Sequence, residues 1–179
     1  MLDTAERLFR EQGYAATTVR EIAEAASVSV GTVMSVADKR GLLVATMDRG
    51  LASTDESDDA GRDDPDGDPV ARVLAVLRPF VDLFADNPDV AREYGAVLFS
   101  GVHDSRVFEQ LAVRLIERMA ARLERQGYSP ERARSVSRVI HRAYLGELFV
   151  WAGSGALDPG DPLRELEQTV RVILAQPER

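Results

Sequence analysis

Residues 17–43, TTVREIAEAASVSVGTVMSVADKRGLL, decide how the N-terminal part of this chain folds. Thr17 and Thr18 precede apolar residues at helical spacing, and their hydroxyls are placed to cap a first turn, so a helix begins near Thr18. A polar turn interrupts it, and Ser29 then opens a second short helix over residues 30–36. The pattern predicts a helix, a tight turn and a helix, an arrangement that can place its second helix in a DNA major groove.

One helix is expected before this stretch and one after it. Leu2, Ala5, Leu8 and Phe9 share a helical face that ends at Gly13. After the stretch, Asp38 is the expected N-cap of a fourth helix that continues to about Leu51. The N-terminal unit is therefore three helices with a helix-turn-helix, followed by a longer helix.

These residues resemble the TetR-type (tetracycline-repressor-like) transcriptional regulators over about the first fifty positions. The resembling residues are Ala5 to Phe9, Gly13-Tyr14, Thr17-Thr18-Val19, Ile22-Ala23, Ala26, Val28-Ser29, Gly31-Thr32-Val33, Lys39 and Leu42-Leu43. The resemblance implies a homodimer that binds double-stranded DNA and a small-molecule effector. The residues it implies for DNA binding are Thr17, Thr18, Ser29, Val30, Thr32, Met34, Ser35 and Lys39.

The recognition segment departs from the family pattern. The family usually places an aromatic, a polar or basic residue and another aromatic where this chain has residues 34–37, MSVA, and the connection to Lys39 is about one residue shorter. Ser29, Thr32 and Ser35 can bond to phosphates or bases, whereas Val30 and Val36 could contact only a thymine methyl group. The basic arm that usually precedes the first helix is also not seen, so either it is absent or the natural start lies upstream.

Lys39 stands in the first turn of the fourth helix, where a cation opposes the helix dipole. A DNA phosphate that meets both this ammonium and the free backbone N–H groups would explain the placement. The alternative is a solvated surface lysine, and the family resemblance favours the phosphate contact.

The negative charge of the chain is concentrated in one segment. The net charge is −8, and residues 53–68, STDESDDAGRDDPDGD, hold eight carboxylates. We expect a flexible acidic linker there. Asp64, Asp66 and Asp68 alternate like the start of a calcium loop, but Pro69 occupies the turn position and no glutamate follows, so no metal site is predicted. The remaining N-terminal unit is nearly neutral and less basic than is typical of a DNA-binding domain.

Residues 69–179 show apolar residues at helical spacing only, which predicts five further helices and about nine in all. Asn87-Pro88, Gly127 and Ser129-Pro130 mark boundaries between them. The expected fold is all-α: a helix-turn-helix domain over residues 1–52, the acidic linker over 53–68, and a helical domain for ligand binding and dimerisation over 69–179.

Two surfaces of the C-terminal helices are predicted to bind partners. The family resemblance implies a ligand cavity lined by some of Phe80, Phe84, Tyr94, Leu98, Phe108, Leu115, Met119, Tyr144 and Phe149. The alternative is an ordinary packed core, which such apolar stripes more often form. The helix over about residues 130–152 is apolar on more than one face, so either it is central to the bundle or a second subunit covers its other face. The resemblance favours the second, a homodimer through Leu145, Leu148, Trp151, Leu166, Val170 and Ile173.

Other functions have little support in the sequence. The chain has no cysteine, and its two histidines, His103 and His141, lack carboxylates at metal-ligand spacing, so we expect structural histidines, no metal and no cofactor. No catalytic motif is present in the sequence, so an enzyme is not expected. No apolar run is long enough for a membrane helix, so a cytoplasmic protein is expected. We interpret the chain as a ligand-responsive DNA-binding regulator, with a helical ligand-binding or interaction protein that has lost DNA affinity as the alternative.

Overall fold

The computed structural model describes residues 1–58, 67–153 and 162–175, and these ranges contain nine α-helices and no β-strand. The expected all-α fold is confirmed. The helices are α1 (Leu2–Gln12), α2 (Val19–Ala25), α3 (Val30–Val36), α4 (Lys39–Asp58), α5 (Pro69–Ala85), α6 (Pro88–Phe99), α7 (Arg106–Glu124), α8 (Pro130–Gly153) and α9 (Pro162–Leu174).

Helices α1 to α3 form a small unit whose turns follow from local chemistry. Gly13 ends α1 with a φ of 82°, a conformation that glycine adopts without steric cost. Ser27 in the turn between α2 and α3 has a φ of 56°. Phe9, Ile22 and Val33 are buried, one from each helix, and they belong to the same apolar core as the buried residues of the later helices.

Helix α4 is longer than its sequence pattern indicates. The Asp38 carboxylate accepts a hydrogen bond from the Gly41 backbone N–H at 2.7 Å, as expected of an N-cap. The helix then continues to Asp58 rather than ending near Leu51, so the prediction of a flexible linker is wrong for residues 53–58. Residues 59–66, including Asp64 and Asp66, lie outside the described part of the chain.

An ion-pair cluster explains the extension of α4. The carboxylate of Asp55 is only 12% exposed and pairs with Arg114, at 2.6 Å from Nε, and with Arg118. Both arginines belong to α7. Part of the acidic run is therefore neutralised by a distant helix, and the mutual repulsion that the sequence suggests does not unfold this segment.

The C-terminal helices pack around a shared apolar core. Asn87 caps α6 through its side chain, which accepts from the Val90 N–H at 3.2 Å, and Pro88 occupies the first turn. Helix α8 packs against α7, α9 and α6, and α5 packs against α7 and α9. The core residues include Leu77, Phe80, Leu115, Met119 and Ile140.

The apolar residues of α8 and α9 are not arranged as the sequence suggests. Leu148, Leu166 and Val170 are at most 1% exposed within a single protomer, so the prediction that they form the dimer surface is wrong. Leu145, Trp151 and Ile173 are half-buried against the protomer's own core. The apolar side chains that these two helices leave exposed are Val139, Val150 and Val172, at 48%, 71% and 64%.

None of the helices in the described ranges combines the length and the apolar character that a membrane crossing requires.

A close approach of α6 and α8 yields a prediction about stability. A Cβ atom added to Gly95 would overlap the ring of Phe149. Because both residues lie inside helices, the Gly95→Ala variant must displace the ring or separate the helices, and we expect the free energy of unfolding to fall by about 1–3 kcal/mol. Urea unfolding followed by circular dichroism measures this change.

The matched control is Gly50→Ala in α4, where an added Cβ would meet Leu83 at 3.5 Å, an ordinary contact distance. This variant should be neutral or more stable, because alanine favours helix by up to about 1 kcal/mol over glycine. Equal stabilities for both variants would contradict the packing described.

Candidate nucleic-acid interface

Helix α3 is anchored to the fold by one side chain and exposes most of the others. Val33 is fully buried, whereas Val30, Met34 and Val36 are 45%, 52% and 65% exposed. Gly31 is also exposed, and a Cβ added there would meet only the Ser29 hydroxyl at 3.7 Å. The small size of Gly31 therefore serves no helix packing within the protomer, and the outer face of α3 is open to a partner.

The hydroxyl groups of α3 bond largely to one another. Ser29 caps the helix by accepting from the Thr32 N–H at 3.0 Å, and the two hydroxyls lie 2.8 Å apart. The Ser35 hydroxyl donates to the Thr32 carbonyl at 2.8 Å. These bonds order a helix of only seven residues, and they leave few hydroxyl protons for DNA.

Helix α2 is held by a capping box. The Thr18 hydroxyl accepts from the Glu21 N–H at 3.2 Å, and the Glu21 carboxylate accepts from the Thr18 N–H at 2.7 Å and from its hydroxyl at 2.8 Å. The Thr18 hydroxyl and N–H hold the pKa of Glu21 below its usual value. Thr18 remains exposed at the start of α2, where it can contact a phosphate.

Thr17 has a different role from the one predicted. Its side chain is fully buried, and its hydroxyl donates to the Gly13 carbonyl at 2.8 Å. The prediction of a DNA contact through this side chain is therefore wrong, since Thr17 instead braces the turn between α1 and α2. The sequence alone could not distinguish the role of Thr17 from that of the adjacent Thr18.

Lys39 lies against an aromatic ring. Its ammonium nitrogen is 4.2 Å from the centre of the Tyr14 ring, a cation–π distance. Partial burial lowers the pKa of Lys39, and the carboxylates of Glu93 and Glu21 oppose that shift. Arg40 interacts with the Tyr14 hydroxyl from the next position. The sequence predicts a role for Lys39. It does not indicate that Tyr14 positions the Lys39 side chain or that Arg40 supplies a second cation beside it.

The same helix that begins at Lys39 is tied to the C-terminal domain. The Asp48 carboxylate in α4 accepts hydrogen bonds from the Tyr94 hydroxyl at 3.0 Å and from the Ser105 hydroxyl at 2.6 Å. Ser105 in turn caps α7 by accepting from the Phe108 N–H at 2.9 Å. Burial raises the pKa of Tyr94, so its hydroxyl stays protonated as a donor.

A second connection between the N-terminal and the C-terminal helices lies at the start of α4. His103, in the loop between α6 and α7, places Nε2 3.3 Å from Asp38 Oδ1, which is an ion-pair distance without hydrogen-bond geometry. Asn87 adds a hydrogen bond of 3.2 Å from its side-chain amide to the Phe9 carbonyl in α1. His103 therefore belongs to the contact between domains rather than to a ligand pocket.

Side chains fill nearly all of the predicted ligand cavity. Phe84, Phe108, Leu115 and Tyr144 surround a void of about 10 Å³, which is room for one water molecule, together with Leu51, Leu111, Ala112, His141 and Leu145. Phe80, Leu98 and Met119 do not line this void. Phe149 packs instead on Phe99, with ring centres 5.1 Å apart, and the Tyr94 hydroxyl faces Asp48. Aromatic stripes at helical spacing here form an ordinary packed core.

Among the residues that the structure describes, no group of three or more His, Asp or Glu side chains is placed to hold a metal ion. His141 is buried beside Tyr144, with ring centres 6.0 Å apart. Burial and the charge of Arg142 lower its pKa, so the ring is kept neutral.

The geometry is that of a helix-turn-helix followed by a set of packed C-terminal helices. Residues 1–35 match the family model described as bacterial regulatory proteins of the tetR family. The HTH-type transcriptional repressor KstR of Rhodococcus jostii is 26% identical over 181 residues, which cover all of this chain and 83% of that protein.

Solved structures share the fold. The Thermus thermophilus repressor FadR, in complex with lauroyl-CoA, superposes with a TM-score of 0.68 at 23% identity and covers 99% of this chain and 94% of its own. A tetR-family regulator from Pectobacterium atrosepticum gives a TM-score of 0.70 at 23% identity, with 99% and 93% covered. The resemblance to the TetR-type transcriptional regulators that the sequence indicates is confirmed.

The position of Lys39 yields a prediction about salt dependence. If its ammonium meets a phosphate, Lys39→Ala should weaken binding to an operator and to random duplex by a similar factor, because phosphate contacts carry no sequence information. The slope of log K against log salt should fall by about one. Fluorescence anisotropy on both duplexes at several salt concentrations measures this.

The control is Glu11→Ala, which removes an exposed charge at the end of α1 that pairs with Arg7. It should leave the salt slope unchanged. An unchanged slope for Lys39→Ala as well would contradict a phosphate contact at this position.

Proposed function

We propose that the protein is a ligand-responsive transcriptional repressor that binds a palindromic operator as a homodimer through α3. The observation that carries this proposal is the match of residues 1–35 to the tetR-family model, over the same residues whose α3 face is open to a partner. The repressor role is supported by the similar proteins, since KstR and FadR are both named repressors.

Contact with DNA involves three parts of the N-terminal unit. Helix α3 enters the major groove, and Val33 fixes its orientation from behind. Thr18 and Lys39 bind the phosphates on either side. The low positive charge of this unit is offset by placing two of its cations, Lys39 and Arg40, next to each other at the start of α4. The affinity for a specific operator therefore depends strongly on two N-terminal units, one from each protomer, binding together.

The effector enters the C-terminal domain by widening the small void. Leu51 of α4 borders that void together with residues of α5, α7 and α8. A ligand that separates these helices therefore moves α4, and with it Lys39 and the attached helix-turn-helix. The ligand can change the DNA affinity only by as much as its own affinity differs between the helices with the void widened and the helices with the void narrow. The apolar lining favours a hydrophobic ligand, and FadR is in complex with lauroyl-CoA.

Pairing of two protomers uses the exposed faces of α8 and α9. Val150 and Val172 are 71% and 64% exposed, and the half-buried Trp151 and Ile173 neighbour them in sequence. Covering these side chains removes apolar area from water. A two-fold arrangement then holds the two α3 helices about 34–36 Å apart, the spacing of successive major-groove faces.

The alternative proposal, a helical ligand-binding protein without operator affinity, is favoured by one observation. Helix α3 carries no charged residue, and Glu21 and Glu24 lie exposed on the neighbouring helix α2. Such a protein would have the same fold and the same dimer but would not prefer any DNA sequence.

A double substitution tests the proposed dimer and its operator together. Val150→Glu with Val172→Glu places four carboxylates in the interface of a dimer, so we expect sedimentation to show monomers and operator affinity to fall by at least about a hundredfold, since a half-site alone competes poorly with non-specific DNA. The operator is obtained by selecting genomic fragments with the unmodified protein.

The matched control is Val113→Glu, because Val113 is similarly exposed, at 61%, but belongs to α7 rather than to α8 or α9. This variant should remain dimeric and retain its affinity. A monomeric unmodified protein at micromolar concentration would contradict the proposed assembly, and a selection that enriches no fragment would favour the alternative function.

A further inference from the structure

The exposed face of α3 has a defined chemical layout. At about 100° per residue, Gly31 and Ser35 lie opposite the buried Val33. Val30 and Met34, four residues apart, form one edge of this face, and Thr32 and Val36 form the other. The centre therefore lacks a large side chain, and both edges present methyl and methylene groups.

Hydrogen-bond donors are scarce on this face. The helix has no Arg, Lys, Asn or Gln, the residues that read guanine and adenine in pairs of hydrogen bonds. Of the three hydroxyl protons, that of Ser35 is donated to the Thr32 carbonyl, and one of the two between Ser29 and Thr32 is shared by that pair. At most one hydroxyl proton is left for a base.

Apolar side chains at this position match only one group in the major groove of ordinary DNA. The thymine C5 methyl is the sole apolar group that the four bases present there. Val30, Met34 and Val36 would each lose exposed surface on contact with it, and the methyl group itself carries no donor or acceptor that the contact could leave unpaired. A guanine or cytosine at the same place would bury polar groups against these side chains, which is unfavourable.

We infer that α3 selects operator sequence through contacts of Val30, Met34 and Val36 with thymine methyl groups, so that each half-site carries thymines where these side chains lie. This inference rests on the proposed function and adds the kind of base that the site prefers. Gly31 supports it, because the absence of a side chain at the centre of the face lets the helix approach the bases closely.

Uracil substitution isolates the methyl contacts. Uracil differs from thymine only by the missing C5 methyl and presents the same O4 acceptor. The free energy of removing one such group from water corresponds to a factor of about four in affinity. A selected operator in which the half-site thymines are replaced by uracil should therefore bind about fourfold more weakly for each contacted methyl. Uracil placed outside the half-sites should have no effect.

Variants of α3 connect the effect to named residues. Val30→Ser and Val36→Ser alter exposed side chains, so the helical content of the protein should not change. Each should bind the thymine operator more weakly than the unmodified protein and should discriminate less between thymine and uracil. Val113→Ser, on the exposed face of α7, should behave as the unmodified protein on both duplexes.

The outcomes separate this inference from the proposed function. Sequence-specific binding that is equal on thymine and uracil operators would overturn methyl recognition and leave the repressor proposal intact. Specific binding that weakens with uracil in the unmodified protein, and less so in Val30→Ser and Val36→Ser, supports both. Equal affinity for the selected operator and for random duplex would overturn both.

Discussion

The hydrogen bonds to Asp48 join the helix that follows the helix-turn-helix to the C-terminal helices. Helix α4 begins at Lys39 beside the helix-turn-helix, and nine residues later its Asp48 carboxylate accepts from Tyr94 of α6 and from Ser105 at the start of α7. Because burial keeps the Tyr94 hydroxyl protonated, the bond persists across ordinary pH. Helix α4 is therefore shared by both parts of the chain, and we expect a displacement of α6 or α7 to reach the helix-turn-helix through it.

Further ion pairs hold that helix on both sides, to α1 of the N-terminal part and to α7 of the C-terminal part. Arg49 of α4 pairs with Asp3 and Glu6 of α1, so that α1 follows α4. Asp55 pairs with Arg114 and Arg118 of α7 near the other end of α4. The ion pairs of Arg49 are exposed and contribute little to stability, whereas the Asp55 carboxylate is largely buried. Partners from α1, α6 and α7 thus hold α4 along its length. We therefore expect a displacement to move α4 as a rigid body rather than to bend it locally.

Much of the fold could be predicted because its helix boundaries are encoded locally. Asp38, Asn87 and Ser29 cap helices with side chains that any reader of the sequence can recognise. Pro88 and Pro130 each mark a first turn. The resemblance to the TetR-type regulators also rests on local motifs in the first fifty residues, and the comparison with known proteins confirms it.

The parts that could not be predicted depend on contacts between distant residues. Residues 53–58 look unfolded until Asp55 meets arginines about sixty positions away. Thr17 and Thr18 are adjacent and chemically identical, and only the turn at Gly13 buries one of them. Apolar residues of α8 and α9 could point inward or outward, and the structure buries Leu148, Leu166 and Val170 inside the protomer. Helical periodicity indicates which residues share a face but not what covers it.

The most direct test of the role of α4 compares the operator affinities of two variants that each lose a single phenolic hydroxyl. Tyr94→Phe removes the bond to Asp48, and Tyr128→Phe removes one to the Leu174 carbonyl, which is 3.5 Å away and remote from α4. The account predicts that Tyr94→Phe changes operator affinity by at least about fivefold, a typical allosteric coupling, while Tyr128→Phe leaves it unchanged. Unchanged operator affinity in Tyr94→Phe, in a protein shown to be folded, would contradict the account.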